Sequence, residues 1–283
     1  MTGAVRIPGV RSAYDDAAGQ AIERAIPIEA PIAIEINGIA YAVMMATPID
    51  IEDFVTGFVL GEDLATIGEL GPVTVHRVIN PERGDGYVAR TNVPVHRAAA
   101  LIERARRRVS DSACGLCGME SIEQALRPLP ELARQPVASD RAIRRALDAL
   151  PDQQLLGRKT GATHAAAFCD ASGMIALLRE DVGRHNALDK VIGALALQGT
   201  DASAGFIVVT SRCSFELVEK AVRAHCPLLV SISAPTDLAV RRARAAGLAL
   251  AVLARDDCML WVSGPSVDRA WAVDAAWEIS DGL

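Results

Sequence analysis

The chain has 283 residues, of which 51% are hydrophobic and only 4% aromatic, and its formal net charge is −6 at pH 7. The negative charge argues against a general nucleic-acid-binding protein. No apolar run approaches the roughly 18 residues of a membrane-spanning helix, and the N-terminal residues do not resemble a signal peptide. We therefore expect a cytoplasmic protein that binds neither nucleic acid nor membrane.

The first part of the chain predicts a small α+β unit that follows a flexible tail at residues 1–20. Segments 32–36 and 40–44 are extended and flank Asn37-Gly38, a pair that readily adopts the positive φ angles of a tight hairpin turn. Acidic residues from Asp50 onward predict the start of a helix. Two further strands and a basic helix are predicted at 73–79, 86–92 and 96–108.

The second part of the chain predicts an α/β fold. From about residue 163 onward, apolar residues form short, nearly continuous runs, which are typical of strands buried on both faces of a parallel sheet. Most of these runs precede a helical pattern, so we expect a layered sheet with helices packed on it. Asp140 is predicted to cap a helix that runs through Leu150. The predicted strands are 165–168, 174–178, 206–209, 228–232 and 248–253.

A Pro-rich stretch at 127–136 is the best candidate linker between these two parts. It divides the chain into a small domain at 21–126 and a larger domain at 127–283. A chain of this length can form one large domain or two ordinary ones.

Three polar turns follow predicted strands, at residues 179–186, 210–214 and 231–237. In sheets of this class ligands bind where strands end and helices begin, and helix N-termini attract anions. Arg184, His185 and Arg212, together with several hydroxyl groups, therefore predict a crevice for the phosphates of a nucleotide-like ligand. For any one turn the alternative is ordinary helix capping. The candidate caps are Asn186, Ser214 and Thr236.

Cys114 and Cys117 lie in the sequence SACGLCG, just after a basic run at 104–108. A zinc ribbon would need a second pair of ligands at comparable spacing, which the sequence lacks. A zinc deaminase would need a glutamate two residues after a ligand, and none follows His164. A thioredoxin-like motif should follow a strand and open a long helix, whereas here the pair follows the predicted basic helix and precedes only a short one. We therefore expect no metal bound by the protein's own residues.

Two buried, structural cysteines are the simplest alternative, but the flanking glycines predict an exposed loop. The favoured interpretation is a flexible, reactive pair. The nearby arginines would stabilise the thiolate, and the glycines would let the loop reach a partner and withdraw. Such a pair suits a covalent carrier of sulfur. The remaining cysteines are expected to be mostly buried and inert: Cys169, Cys213, Cys226 and Cys258.

Over residues 29–263 the sequence resembles the FdhD family, accessory sulfurtransferases that formate dehydrogenase activity requires. The resemblance is strongest in REDVGRHNALDK at 179–190, with Ser-x-Ser-Ala-Pro-Thr at 231–236 and Cys-Gly-x-Cys-Gly at 114–118. Two departures concern the crevice: Ser211 stands where the family usually has glycine, and Asp256 and Asp257 stand in a segment that usually carries aromatic and glycine residues.

The resemblance implies a larger C-terminal domain with a cytidine-deaminase-like, three-layer fold without zinc, and a smaller N-terminal α+β domain. It also implies that Cys114, with Cys117 as its companion, accepts persulfide sulfur from a cysteine desulfurase. The sulfur would pass to the molybdenum of bis(molybdopterin guanine dinucleotide) for formate dehydrogenase or a related molybdoenzyme.

That molybdenum cofactor would be a bound substrate, held in a pocket that also accepts a guanine nucleotide such as GDP or GMP. The first group of expected binding residues lines the turns and comprises Arg184, His185, Asn186, Arg212, Ser233 and Thr236. The second group is the late segment Leu253, Ala254, Arg255, Asp256, Asp257 and Cys258.

A homodimer is expected, because the cofactor carries two pterin–guanine dinucleotide halves and a two-fold symmetric protein offers each half one pocket. Two other functions stay open. One is a chaperone that binds molybdopterin or a guanine nucleotide without transferring sulfur. The other is a thiol–disulfide oxidoreductase that cycles a disulfide between Cys114 and Cys117.

Overall fold

The computed structural model describes residues 3–14, 19–82, 84–98, 101–102, 128–133, 138–255 and 257–267. Its strands form a two-stranded ribbon, a four-stranded sheet and a six-stranded sheet. Within these described ranges no helix is both long and apolar enough to cross a membrane. The predicted reactive cysteines and the predicted domain boundary near residue 127 lie outside these ranges.

The chain begins with a β-ribbon rather than with the predicted tail. Strand β1 (Ala4–Arg11) pairs antiparallel with β2 (Gln20–Pro27). Every residue of β1 after Ala4 is exposed, so the strand has no buried face to impose an alternating apolar pattern. The prediction of a flexible tail over residues 1–20 is therefore wrong for residues 4–11.

The four-stranded sheet has the order β4-β3-β6-β5. The turn between its first two strands has φ angles of 53° at Asn37 and 75° at Gly38, which confirms the predicted hairpin. The isoleucines of the first segment, 32–36, face a buried cluster that also contains Phe54 and Phe58 of helix α1. The elements are β3 (Ala30–Ile36), β4 (Ile39–Ala46), α1 (Ile51–Gly61), β5 (Thr74–Val78) and β6 (Gly86–Thr91).

The six-stranded sheet has the order β12-β11-β10-β9-β7-β8. Strands β9, β10 and β11 are parallel, whereas β7 runs antiparallel to both of its neighbours and β12 runs antiparallel to β11. The sheet is therefore mixed. Strands β7 and β8 follow one another across a short turn, which can join only antiparallel strands. The strands are β7 (His164–Asp170), β8 (Ile175–Asp181), β9 (Gly205–Val209), β10 (Leu228–Ser231), β11 (Ala249–Val252) and β12 (Leu260–Ser263).

Helices cover both faces of this sheet, which confirms the predicted layered α/β unit. Three helices pack on one face in one buried cluster, and α2 packs on the other face in a second cluster. The cap of α2 is Ser139, whose Oγ accepts a hydrogen bond from the Ala142 amide at 3.2 Å, rather than the predicted Asp140. The helices are α2 (Asp140–Gln153), α3 (Leu155–Thr160), α4 (Arg184–Leu197), α5 (Phe215–Arg223) and α6 (Asp237–Ala245).

Helices α1 and α4 join the small unit to the large one at very close range. A Cβ atom on Gly57 of α1 would lie 1.8 Å from the carbonyl oxygen of Asp189, and one on Gly193 of α4 would lie 1.9 Å from the carbonyl oxygen of Asp53. Only glycine allows two helix backbones to approach this closely at these positions. The two units are therefore packed together through backbone contact as well as through side chains.

Replacing Gly57 with Ala should force α1 and α4 apart. We expect the free energy of unfolding to fall by about 1–3 kcal/mol, although alanine raises helix propensity by about 1 kcal/mol. Urea unfolding measures the difference. Gly68→Ala is the matched control, because a Cβ at Gly68 meets nothing within 4 Å, and it should change stability by no more than about 0.5 kcal/mol. Equal stabilities of the two variants would contradict the close approach.

Candidate functional site

The carboxyl ends of four strands meet at one edge of the large sheet. Strands β9, β10 and β11 are parallel, and β8 points the same way because two antiparallel pairings through β7 separate it from β9. The three polar turns predicted from the sequence therefore lie along one edge, and the turn after β11 joins them. We call this edge, with the N-termini of α4, α5 and α6, the crevice.

Backbone hydrogen bonds tie the crevice turns to one another. The Thr236 amide donates to the carbonyl oxygen of Cys213 at 2.9 Å, and the Leu253 amide donates to that of Ser233 at 3.2 Å. The hydroxyl of Ser231 donates to the carbonyl oxygen of Ser211 at 2.7 Å. These bonds fix the turns after β9, β10 and β11 relative to one another, so the backbone that lines the crevice is preorganised.

Arg184 brings positive charge to the first turn of α4. Its Nε is buried and has no hydrogen-bond partner within the part of the chain that the structure describes. The first turn of α4 contains no acidic residue. A buried donor without a partner is unfavourable, and an anion in the crevice would supply the missing acceptor.

Two imidazoles lie beside Arg184. Burial, and then the charge of Arg184, lowers the pKa of His185 to about 4. The same two causes lower the pKa of His164, so both rings are neutral at pH 7. The Nε2 atom of His185 lies 3.3 Å from Oγ of Ser214 and 3.8 Å from a carboxylate oxygen of Glu216.

His164 is a crevice residue that the sequence did not assign to the site. It begins β7, which runs antiparallel, so its amino end reaches the same edge as the carboxyl ends of β8 and β9. Only the strand order reveals this position. A neutral imidazole there can donate or accept a hydrogen bond without adding to the charge of Arg184.

The predicted binding residues differ in their access to the crevice. Arg212, Thr236, Arg255, Asp257 and Cys258 are exposed, and Arg184, His185, Ser233 and Leu253 are partly buried.

Asn186 and Ala254 are buried. The amide nitrogen of the Asn186 side chain donates to the carbonyl oxygen of Met45 and to Asp181, both at 2.9 Å. The prediction that Asn186 caps the helix is wrong, because Gly183 is the N-cap and the Asn186 side chain connects the two units instead. Its predicted role in cofactor binding stays a prediction. Ala254 lies beneath the surface, and its amide donates to Ser231 at 3.1 Å. Asp256 lies outside the described residues.

Known proteins resemble this chain over most of its length. The model of the FdhD/NarQ family matches residues 27–267. The chain belongs to this family. The sulfur carrier protein FdhD of Xanthomonas campestris pv. campestris (strain B100) is 46% identical over 254 residues, which cover 89% of each chain. The protein of the same name from Variovorax paradoxus (strain S110) is 45% identical over 240 residues, which cover 85% of each.

A solved structure has the same fold. The crystal structure of a chain described as a formate dehydrogenase accessory protein from Desulfotalea psychrophila matches with a TM-score of 0.68 and covers 94% of this chain and 99% of that chain. Sequence identity between the two is 21%, so this likeness shows the fold of the FdhD/NarQ chain rather than its activity.

The segment 179–190, which is the strongest part of the FdhD resemblance, contributes more side chains to structure than to the crevice. The Arg179 guanidinium contacts Asp53 at 2.8 Å and thereby holds the first turn of α1. The Glu180 carboxylate accepts hydrogen bonds from the amides of Leu156 and Gly157 at 2.7 and 2.6 Å. These two residues fix the N-termini of helices in both units.

Asp181 and Lys190 form the fully buried centre of the same FdhD segment. Their charged atoms lie 2.7 Å apart, and both side chains are completely inaccessible. The Lys190 ammonium also donates to the carbonyl oxygens of Thr47 and Glu180, at 3.0 and 3.2 Å. The pair therefore joins the end of β8, the helix α4 and the loop that follows β4.

Three of the four other cysteines of this FdhD/NarQ chain are buried and inert, as the sequence predicts. Burial raises the pKa of Cys169, Cys213 and Cys226 to about 12 in each case. Cys258 is exposed, but the neighbouring Asp257 carboxylate raises its pKa, which makes it a poor nucleophile at neutral pH.

Among the described residues, no group of three or more His, Cys, Asp or Glu side chains could hold a metal ion. The predicted reactive pair, Cys114 and Cys117, lies outside those residues.

The pKa of His185 reports the electrostatics of the crevice. We expect it to titrate near 4 in NMR spectra, with its signals assigned by their loss in His185→Gln. Arg184→Met should raise this pKa, because the positive charge that disfavours the imidazolium is removed. Since the unfolded value is about 6.5, the unfolded state binds the proton first. His185 therefore lowers stability as pH falls from about 6.5 toward 4. An unchanged or lower pKa in Arg184→Met would contradict this assignment.

Proposed function

We propose that this protein accepts sulfur as a persulfide on Cys114 and delivers it to the molybdenum of bis(molybdopterin guanine dinucleotide), as part of formate dehydrogenase maturation. Its family membership and its similarity to proteins named sulfur carrier protein FdhD support the sulfur-carrying role. The observation that most favours an anionic, nucleotide-like substrate is Arg184, whose buried Nε has no partner among the described residues.

The crevice has the chemistry to bind the phosphates of a guanine dinucleotide. The N-termini of α4, α5 and α6 present backbone amides there, and helix N-termini favour anions. Arg184 would contribute a charge-assisted bond from its buried Nε, and the exposed Arg212 a second from the turn after β9. His185 and His164 would supply neutral hydrogen-bonding groups, and the hydroxyl of Thr236 would supply another.

The proposed sulfur chemistry uses two thiols. The Cys114 thiolate would attack the outer sulfur of the desulfurase persulfide, and the desulfurase thiolate would leave. The Cys117 thiolate would then attack the inner sulfur of the Cys114 persulfide, which forms a disulfide and releases sulfide to the molybdenum. The dithiol supplies the two electrons, so an external dithiol must reduce the Cys114–Cys117 disulfide by thiol–disulfide exchange before the next cycle.

The partners in this proposal are a cysteine desulfurase, which supplies the sulfur, and formate dehydrogenase or a related molybdoenzyme, which receives the sulfurated cofactor. The predicted homodimer belongs to the same proposal. A two-fold partner would place a second crevice where it could hold the other half of the cofactor.

Incubation with cysteine desulfurase and cysteine should add about 32 Da, one sulfur atom, to Cys114. Mass spectrometry of the peptide that contains the pair measures the adduct. Cys114→Ala should lose both the adduct and the activation of the client enzyme, and Cys117→Ala should keep the adduct but transfer sulfur poorly. Cys258→Ala is the matched control and should retain the adduct. Full client activation by Cys114→Ala, or no adduct on the wild-type protein, would exclude the persulfide carrier and favour a binding chaperone.

GDP should bind in the crevice with micromolar or weaker affinity in calorimetric titration. Removing one charge-assisted bond should weaken binding by about ten- to a hundredfold, so we expect this loss in Arg184→Met and in Arg212→Met. Arg141→Met is the control, because Arg141 lies in the first turn of α2, which packs on the face of the sheet opposite α4. No heat and no thermal shift with millimolar GDP would remove the nucleotide part of the proposal.

A further inference from the structure

A cavity of about 430 Å³ lies at the far end of α4 from the crevice, between the two units of the protein. Its walls include Leu60 and Asp63, at and just after the end of α1, and Leu195 from the last turn of α4. Arg223 and His225, at and just after the end of α5, also line it. Cavities that hold small molecules are commonly about 300–1,000 Å³. Arg184 and Leu195 are separated by most of α4, which corresponds to about 16 Å along the helix axis, so the cavity is separate from the crevice.

Arg223 is a charged residue in the wall of this cavity. Its side chain is only 10% exposed, and its Nη1 atom lies 3.3 Å from a carboxylate oxygen of Asp63. Its Nε and Nη2 atoms are buried and have no hydrogen-bond partner within the described residues. These two nitrogens form one edge of the guanidinium, and their parallel N–H groups match the two oxygens of a carboxylate. Asp63 thus holds the guanidinium from one side and leaves its bidentate edge unsatisfied.

The rest of the wall favours a singly charged ligand with a short apolar body. Most of the remaining lining is apolar, with Ile192, Ala196, Ala202 and Ala224 among its members. Two carboxylates, Asp63 and Asp201, also line the cavity. The α-helices α1, α4 and α5 all end there, and the C-terminus of an α-helix disfavours negative charge. These features disfavour a phosphate dianion more strongly than a monocarboxylate, because the monocarboxylate carries half the charge.

We propose that this cavity is a second binding site, which takes a small monocarboxylate in bidentate contact with Nε and Nη2 of Arg223. The ligand would contact the end of α1 on one side and the ends of α4 and α5 on the other, so it would bridge the two units. This site does not depend on the sulfur chemistry or on nucleotide binding. The carboxylate can come from a free acid or from the C-terminus of a peptide.

The test compares butyrate with the neutral butyramide in calorimetric and thermal-shift titrations. Butyrate should bind and raise the melting temperature, and butyramide should do neither. Arg223→Met should weaken butyrate binding at least about tenfold and should leave GDP binding unchanged. Arg212→Met is the reciprocal control, with weakened GDP binding and normal butyrate binding.

Two further arms keep the test decisive. If Arg223→Met does not fold, Ala196→Leu retains the arginine, fills part of the cavity and should also weaken butyrate binding. The tripeptide Ala-Ala-Leu, with a free or an amidated C-terminus, separates the two sources of carboxylate. Binding of the free-terminus peptide alone, lost in Arg223→Met, assigns the site to a chain terminus. Failure of both carboxylates to bind, equal binding of butyramide, or unchanged binding in both variants would overturn the proposal.

Discussion

The rest of the structure depends on the interactions of the buried Asp181 carboxylate. One of its oxygens accepts hydrogen bonds from the Gly183 amide at 2.7 Å and from Asn186 at 2.9 Å, and the other accepts from the Thr47 amide at 3.0 Å. Lys190 neutralises its charge at 2.7 Å. A single side chain thereby fixes the turn between β8 and α4, the first turn of that helix and the loop of the small unit that packs against it.

A buried ion pair of this kind is not the arrangement that gives a core its greatest stability. Removing two charges from water costs several kcal/mol per ion before their attraction is counted, and loss of one partner from a buried pair typically destabilises a protein by about 3–5 kcal/mol. Helix α4 carries a second buried pair, Asp189 with Lys220 at 2.7 Å, where burial raises the pKa of Asp189 to about 6. Both pairs lie where α4 meets other elements, so their directional bonds orient the helix as apolar contacts alone would not.

The sequence predicted the features that local chemistry decides. Asn37-Gly38 specifies its hairpin because the required φ angles belong to those two residues, and the order of strands and helices places the polar turns on one edge of the sheet. It did not predict the role of Asn186, because the acceptor at Met45 comes from a distant part of the chain. The sequence did not predict β1 either, because an exposed ribbon has no buried face and therefore no alternating apolar pattern. The cavity around Arg223 depends on how two units dock, which no local pattern encodes.

Arg184 and Arg223 both have buried nitrogens without a hydrogen-bond partner among the described residues, but they lie at opposite ends of their helices. Arg184 is the first residue of α4, where the helix dipole disfavours a cation, so its position opposes the stability of the free protein. An anion in the crevice would relieve both the dipole repulsion and the missing hydrogen bond. Arg223 is the last residue of α5, where the dipole favours a cation, and Asp63 already balances part of its charge. At that end only the unpaired edge of the guanidinium is unfavourable, which fits the single carboxylate proposed for the cavity, whereas the ligand proposed for the crevice carries phosphates.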